Sequence, residues 1–408
     1  MSDNRQFLII GASQAGGWVA KTLRTEGFEG SVILIGEEPY FPYERPPLSK
    51  GVLAGDATLE STYFWTPETY DELNIDVRLK TRVTKINRGK KQLTLDDGET
   101  LNFDRLAITT GARARNLSIE GSNLKGIFYL RTLADTEAIR TNLKERTKIL
   151  IVGGGWIGLE CASTLKKLNC EVTIIETADR LCGRAVTPEI SDWMLHFHTS
   201  RGIEVKLNTT LNSFSGGSNL TQANLSNGEA VKIDMAIIGI GVIPNVELAE
   251  DAGLEVDNGI VVDIKTRTSD PNIFAAGDVT NHPNKILGRN IRLESWENAQ
   301  NQGIVAGKAL LDLAEPYAEI PWFWSDQFDA NIQMIGLPEN WDSTVTRGEP
   351  KSDEFITFYL KHDQIIGAIS INDPRNLRFA KRLMQAKKHI SVDDLANTQI
   401  KLQSLMKN

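Results

Sequence analysis

Two glycine-rich loops, each set between a β-branched apolar run and a helical pattern, restrict the fold of this chain more than any other feature. The first is LIIGASQAG, with Gly11, Ser13, Ala15 and Gly16; the second is ILIVGGGWIG, with Gly153, Gly155 and Gly158. A strand, a tight glycine turn and a helix form the dinucleotide fingerprint. The turn brings backbone close to a pyrophosphate, and free N–H groups at the helix start favour an anion. One such loop carries little weight. Two of them, 142 residues apart (153 − 11), predict two dinucleotides on one protein, and hence redox chemistry.

The second fingerprint is complete, whereas the first has Ser13 at its middle glycine position. Serine is small enough to leave room for a phosphate. Residues 7–10, 15–26 and 31–35 read as a βαβ unit, and 148–152, 158–168 and 171–175 as another. The strand at 31–35 leads to Glu37, 26 residues beyond Gly11, and Glu38 follows it. A carboxylate there can accept hydrogen bonds from ribose hydroxyls, and Glu37 is the better placed. The second unit ends on Glu176, 23 residues beyond Gly153, where an acid favours NADH and repels the 2′-phosphate of NADPH. Arg180 and Arg184 follow, as adenine or pyrophosphate contacts or as surface charge. A third segment, TSDPNIFAAGDV, is an apolar strand ending in Gly277 and Asp278. Asp278 can bond a ribityl hydroxyl from the strand's carboxyl end, where open α/β sheets bind ligands.

Length and composition set the frame. The 408 residues predict two or three domains, and 41% apolar with 24% charged residues describe a globular protein. A net charge of −8 argues against general nucleic-acid binding. We expect no signal peptide, no membrane span and a cytoplasmic location. Cys161, Cys170 and Cys182 form no CxxC pair and read as free thiols. Residues 93–97 and 100–103 read as a hairpin, 106–109 as a buried strand running into Thr110 and Gly111, and 204–207, 223–225 and 232–238 as further strands. From about residue 322 the pattern changes, with short strands at 354–359 and 364–371 before a basic helix. His196 and His198 form an HxH whose members diverge on a helix, so no metal site is expected, and His282 reads as a loop residue. Trp18, Trp156, Trp193 and Cys161 read as packing.

The loop, Thr110-Gly111, second loop and Gly277-Asp278, in that order, resemble two-dinucleotide flavoprotein reductases of the glutathione-reductase type. Within that group YERPPLSK (43–50), RLESWENAQNQG (292–303) and PWFWSDQ (321–327) resemble the ferredoxin reductase components of bacterial ring-hydroxylating dioxygenases. Phenylpropionate, biphenyl and toluene systems are examples, and putidaredoxin reductase is a more distant relative. The resemblance implies an α/β chain with two Rossmann-like domains and a C-terminal α+β domain. The divisions would be 1–112 with 246–321 for FAD, 113–245 for NAD, and 322–408 covering the flavin. It implies FAD contacts at Gly11, Ser13, Ala15, Gly16, Glu37, Lys50, Val83, Thr110, Gly111, Arg131, Gly277, Asp278, Trp296 and Trp324. NADH would meet Gly153, Gly155, Gly158, Glu160, Glu176, Arg184 and Gly241. Lys50 would lie near flavin N5, with Glu160 beside it and near the nicotinamide, as the two catalytic residues.

An absence completes the reading. Disulfide reductases of this fold carry a cysteine pair where residues 45–50 here read RPPLSK. Electrons should then leave from the flavin itself, one at a time, and the resemblance implies that they pass to a [2Fe–2S] ferredoxin of Rieske type that feeds a terminal oxygenase. The implied protein is an NADH:ferredoxin oxidoreductase, a monomer or weak dimer. Alternatives are a reductase for a cytochrome P450 ferredoxin, an NADH oxidase or peroxidase, which would need a cysteine near the flavin, and a non-enzymatic nucleotide sensor. Residues 375–389 (RNLRFAKRLMQAKKH) hold six Lys and Arg and no acid, either a solvated face or a surface that steers in an acidic ferredoxin.

Overall fold

A computed structural model describes residues 3–406 of the chain. It parts into two compact units, one of Met1–Glu44, Leu59–Arg113 and Ile243–Trp322, the other of Arg45–Thr58, Ala114–Val242 and Phe323–Asn408. Residues 45–58, within the FAD division that the resemblance implies, cluster with the second unit.

The first unit is built on a five-stranded parallel sheet in the order Ile273–Ala275, Arg105–Ile108, Gln6–Ile10, Ser31–Ile35 and Ile75–Arg78. Both faces are covered. Phe7, Ile9, Val32 and Leu34 pack on one side, and Leu8, Ile10, Ile33 and Ile35 on the other. Burial on both faces is why these strands read as unbroken apolar runs. The chain turns opposite ways from Gln6–Ile10 and Arg105–Ile108, so the loops after Ile10 and Ile108 flank the topological switch point, the ligand crevice of such sheets. The helices Gln14–Thr25 and Trp296–Ala309 lie close because Gly303 and Gly307 share a face: a Cβ on Gly303 would meet the Ala15 carbonyl oxygen at 2.7 Å, and one on Gly307 would meet Thr22 Cβ at 2.7 Å. Below the sheet, Val83–Asn87, Gln92–Leu95 and Thr100–Asn102 form a three-stranded antiparallel meander that contains the expected hairpin.

The second unit repeats the plan. Its parallel sheet runs Glu204–Lys206, Glu171–Ile175, Lys148–Val152, Met235–Ile238 and Ile127–Tyr129. The switch point falls between Lys148–Val152 and Met235–Ile238. The single strand expected at 232–238 is two, because Ala230–Lys232 pairs in an antiparallel sheet with Leu220–Leu225 while Met235–Ile238 joins the parallel one. The C-terminal segment makes a five-stranded sheet ordered Trp322–Gln327, Ala330–Gly336, Gln364–Ile371, Glu354–Lys361 and Ser343–Glu349. The helix Pro374–Gln385 packs on it through Leu377, Ala380, Leu383 and Met384 and exposes Arg375, Arg378 and Arg382. The buried Arg347 guanidinium donates to the carbonyls of Leu395, Asn397, Thr398 and Ile400, which ties down the tail.

Candidate active site

In the first unit, the loop after Ile10 is a tight cradle. Gly11 has φ +112°, and a Cβ on Gly16 would sit 2.0 Å from the Gly11 carbonyl oxygen. Ser13 caps the Gln14–Thr25 helix by position, but its side chain makes no capping bond and no acid occupies the first turn. The leading N–H donors therefore lack a side-chain partner, which is what a phosphate requires. Ala15 is buried at the helix start. Thr110 and Gly111 follow the Arg105–Ile108 strand; the Thr110 hydroxyl donates to the Asn245 carbonyl, and Asn245 returns a bond to the Thr110 carbonyl, each 2.8 Å. Gly277 donates its N–H to Gln302 Oε1, which also accepts from the Thr280 hydroxyl. That side chain fixes the turn from which half-buried Asp278 projects. Trp296 starts its helix with Nε1 3.2 Å from Glu44 Oε1, and Val83 is buried at the head of its strand. Glu37 stands exposed, 3.6 Å from Arg82, while Glu38 accepts from the Tyr43 hydroxyl at 2.6 Å.

In the second unit, the turn after Val152 is equally tight. A Cβ on Gly158 would lie 2.2 Å from the Gly153 carbonyl oxygen. Gly155 caps the Trp156–Lys167 helix, and its first turn holds no acid. Glu176 Oε2 accepts from the Gly154 N–H at 2.6 Å and Oε1 from the Ala178 N–H at 2.9 Å. Each carboxylate oxygen keeps a further lone pair for a ribose hydroxyl. Gly241 (φ +97°) follows the neighbouring strand across the switch point, and Arg184 is exposed. Arg131 lies just before the Leu133–Asn142 helix, its N–H bonded to Asp135 and its carbonyl to Arg45. Trp324 is half-buried in the Trp322–Gln327 strand.

Lys50 and Glu160 meet. Lys50 Nζ is 2.7 Å from Glu160 Oε2, with the lysine side chain 20% and the glutamate side chain 4% exposed. Lys50 Nζ also reaches the Pro46 carbonyl at 3.1 Å. Glu160 accepts two more bonds, from Ser49 Oγ at 2.5 Å and from Ser325 Oγ at 2.6 Å. A buried carboxylate needs such compensation, since an unpaired one costs several kcal/mol. Its charge acts on its neighbours. Burial first, and then Glu160, push the Cys161 thiol far up; burial, Glu176 and Glu160 do the same to Cys182. Both thiols stay protonated and unreactive.

Ser49, Ser325 and the residues behind Ser325 were not singled out as site residues by sequence. Their only signal was membership of RPPLSK and PWFWSDQ. His198, grouped with His196 as an HxH, is fully buried and pairs its Nε2 with Gln327 Oε1 at 2.8 Å. His282 is not in a loop: it lies in the buried strand Thr280–Asn284, 2% exposed, because Tyr317 packs on its ring. Among the described residues no cluster of three His, Cys, Asp or Glu could hold a metal ion, and no helix is long and apolar enough to cross a membrane.

Comparison with known proteins gives the same frame. Residues 5–303 match the pyridine nucleotide-disulphide oxidoreductase family, and residues 322–406 match the reductase C-terminal family. The chain is 39% identical to the anthranilate 1,2-dioxygenase system ferredoxin–NAD(+) reductase component of Burkholderia cepacia, covering 98% of this chain and 99% of that one. It is 37% identical to putidaredoxin reductase of Pseudomonas putida, covering 100% and 98%. The crystal structure of a covalent putidaredoxin reductase–putidaredoxin complex superposes with a TM-score of 0.96 at 36% identity, over 99% of this chain and 98% of that one. With two parallel sheets, a tight glycine loop on each and both family models matched, the chain belongs to the pyridine nucleotide-disulphide oxidoreductase family and carries a reductase C-terminal domain.

Proposed function

We propose that this protein is an FAD-dependent NADH:ferredoxin oxidoreductase serving an aromatic-ring dioxygenase. One observation carries the reading. The segment 45–50, where disulfide reductases of this fold hold a cysteine pair, contains no thiol and instead supplies Lys50 to the buried Glu160. A dithiol exit is closed, so the electron acceptor has to be reached from the flavin. FAD, when bound, supplies hydride acceptance and single-electron release. The chain's residues then divide the remaining work. Gly11, Ser13, Ala15, Gly16, Thr110, Gly111, Gly277, Asp278 and Trp296 hold FAD in the first unit, and the second-unit loop with Glu176 and Gly241 holds NADH. Lys50 and Glu160, an ion pair with Nζ 2.7 Å from Oε2, set the polar field for hydride arrival. The acceptor is a [2Fe–2S] ferredoxin, consistent with relatives named as reductase components of dioxygenase systems, and the working compartment is the cytoplasm.

The test is direct. NADH should bleach the yellow holoprotein in a stopped-flow mixer, and a Rieske-type ferredoxin should then be reduced, while a disulfide substrate is not. A putidaredoxin-like ferredoxin from a P450 system reduced faster than any Rieske-type protein would favour the second reading, which the 0.96 TM-score to the putidaredoxin complex supports.

A further inference from the structure

Glu160 sits at the end of a buried chain of donors. Ser325 and Gln327 are two apart on the Trp322–Gln327 strand, so both point to one face. Ser325 Oγ reaches Glu160 Oε1 at 2.6 Å, Gln327 Nε2 reaches Ser325 Oγ at 3.0 Å, and His198 Nε2 meets Gln327 Oε1 at 2.8 Å. Ser325, Gln327 and His198 are all 0% exposed.

The direction of every bond follows from its far end. A carboxylate only accepts, so the serine hydroxyl donates to Glu160. The serine oxygen then accepts from the glutamine amide nitrogen. This turns the amide oxygen toward His198, whose Nε2 must carry the proton. The consequence is visible: His198 Nδ1 is left as a bare buried acceptor with no hydrogen-bond partner. Burial depresses His198 to about 4, which keeps the ring neutral. Phe328 and Phe197 close around the ring at 5.6 and 5.9 Å between centroids.

We propose that His198, Gln327 and Ser325 are positioning residues: a one-way hydrogen-bond chain that fixes the rotamer of Glu160 and keeps its Oε1 engaged, leaving Oε2 to Lys50 and Ser49. The inference rests on the reading that Glu160 and Lys50 act at the site of hydride transfer. The other charged or titratable groups under the field of Glu160 are Lys50, Cys161 and Cys182. None of them competes for Oε1.

Two measurements on the FAD holoprotein test it. The first is the infrared carboxylate stretch of Glu160, identified by its loss in Glu160→Gln. The second is the rate of flavin reduction at saturating NADH beside the NADH dissociation constant. Ser325→Ala should shift the band and slow reduction about tenfold or more, the usual weight of one hydrogen bond to a charge, with unchanged NADH affinity. Gln327→Leu should shift the band in the same sense. In the double variant Ser325→Ala/Gln327→Leu it should add nothing, since the glutamine acts only through the serine. Ser325→Thr and His198→Gln, which keep a donor in place, should recover most of the rate lost in Ser325→Ala and His198→Leu. Additive effects in the double variant, or an unmoved band in Ser325→Ala, would overturn the chain. A wild-type rate in Glu160→Gln would instead overturn the catalytic reading of Glu160 and any catalytic purpose of the chain with it. The conservative pair guards against loss of folding, because a merely structural role would not separate rate from affinity.

Discussion

The Glu176 carboxylate is pinned to the second glycine loop by the Gly154 N–H, 2.6 Å from Oε2. The acid and the glycine turn are therefore held together. A Cβ on Gly154 would lie 3.2 Å from Oε2 and 2.5 Å from Leu181 Cδ2, so a larger residue there would crowd the contact.

Cofactor preference should follow from this pair. On the proposed reading, Glu176→Ala removes the acceptor for a ribose hydroxyl and the charge that repels a 2′-phosphate. A charge-assisted hydrogen bond contributes roughly 1.5–3 kcal/mol, so the NADH KM should rise about tenfold or more and the gap to NADPH should narrow. Steady-state kinetics with both nucleotides checks it; equal use of the two by the wild type would remove the argument.

Flavin retention should depend on Asp278. The turn before it is held by Gln302 through Gly277 and Thr280, so Asp278→Ala tests the proposed ribityl contact while those bonds remain. The purified variant should carry less FAD per chain than the wild type, and added FAD should restore its absorbance. Full FAD occupancy after extensive dialysis would place the retaining contact elsewhere.

No thiol should take part in turnover. Cys161, Cys170 and Cys182 are 0%, 2% and 8% exposed, and burial holds each thiol protonated. A variant with all three changed to Ala should reduce ferricyanide at close to the wild-type rate and melt at a lower temperature, because three small core side chains are truncated. Complete inactivity with FAD still bound would contradict this.

Stability should decline as the medium turns acid. His198 and His282 are each held near 4 by burial, against an ordinary 6.5. The unfolded chain thus takes up two protons that the folded chain refuses. The stability they contribute is complete above about pH 6.5 and is lost as pH falls toward 4. Neither His282 nitrogen has a hydrogen-bond partner, so His282→Leu should flatten the acid side of the melting curve. An unchanged slope in that variant would show that other groups govern it.

The basic face of the C-terminal helix should steer the ferredoxin. Arg375, Arg378 and Arg382 are exposed on Pro374–Gln385, whose residues Leu377, Ala380, Leu383 and Met384 are buried. Reversing the three to Glu should slow ferredoxin-linked turnover at low salt and leave flavin reduction by NADH intact, since steering charges act on association. The effect should fade above about 0.15 M salt, where the screening length is about 8 Å. Wild-type turnover in the triple variant would reduce this face to solvated surface.

The local elements were legible because their causes are local. The strands Lys148–Val152 and Glu171–Ile175 fall where the apolar runs stand, and Gly11 and Gly153 take the positive φ that their turns demand. Glu176 could be picked out because a strand of fixed rise carries it a fixed distance past its loop. What the residues between 230 and 238 would do could not be read. The alternating stretch fits either a single strand or two strands of different sheets, and only the partners at Leu220–Leu225 and Lys148–Val152 divide it. His282 reads as a loop residue because it follows the Gly277-Asp278 turn, yet it is buried in a strand with Tyr317 packed on its ring. The surroundings of Glu160 depend wholly on tertiary structure. Ser49, Lys50, Ser325, Gln327 and His198 come from segments up to 278 positions apart (327 − 49). No pattern in a linear chain says that they meet, because the decision belongs to the packing of helix, turn and strand around one buried charge.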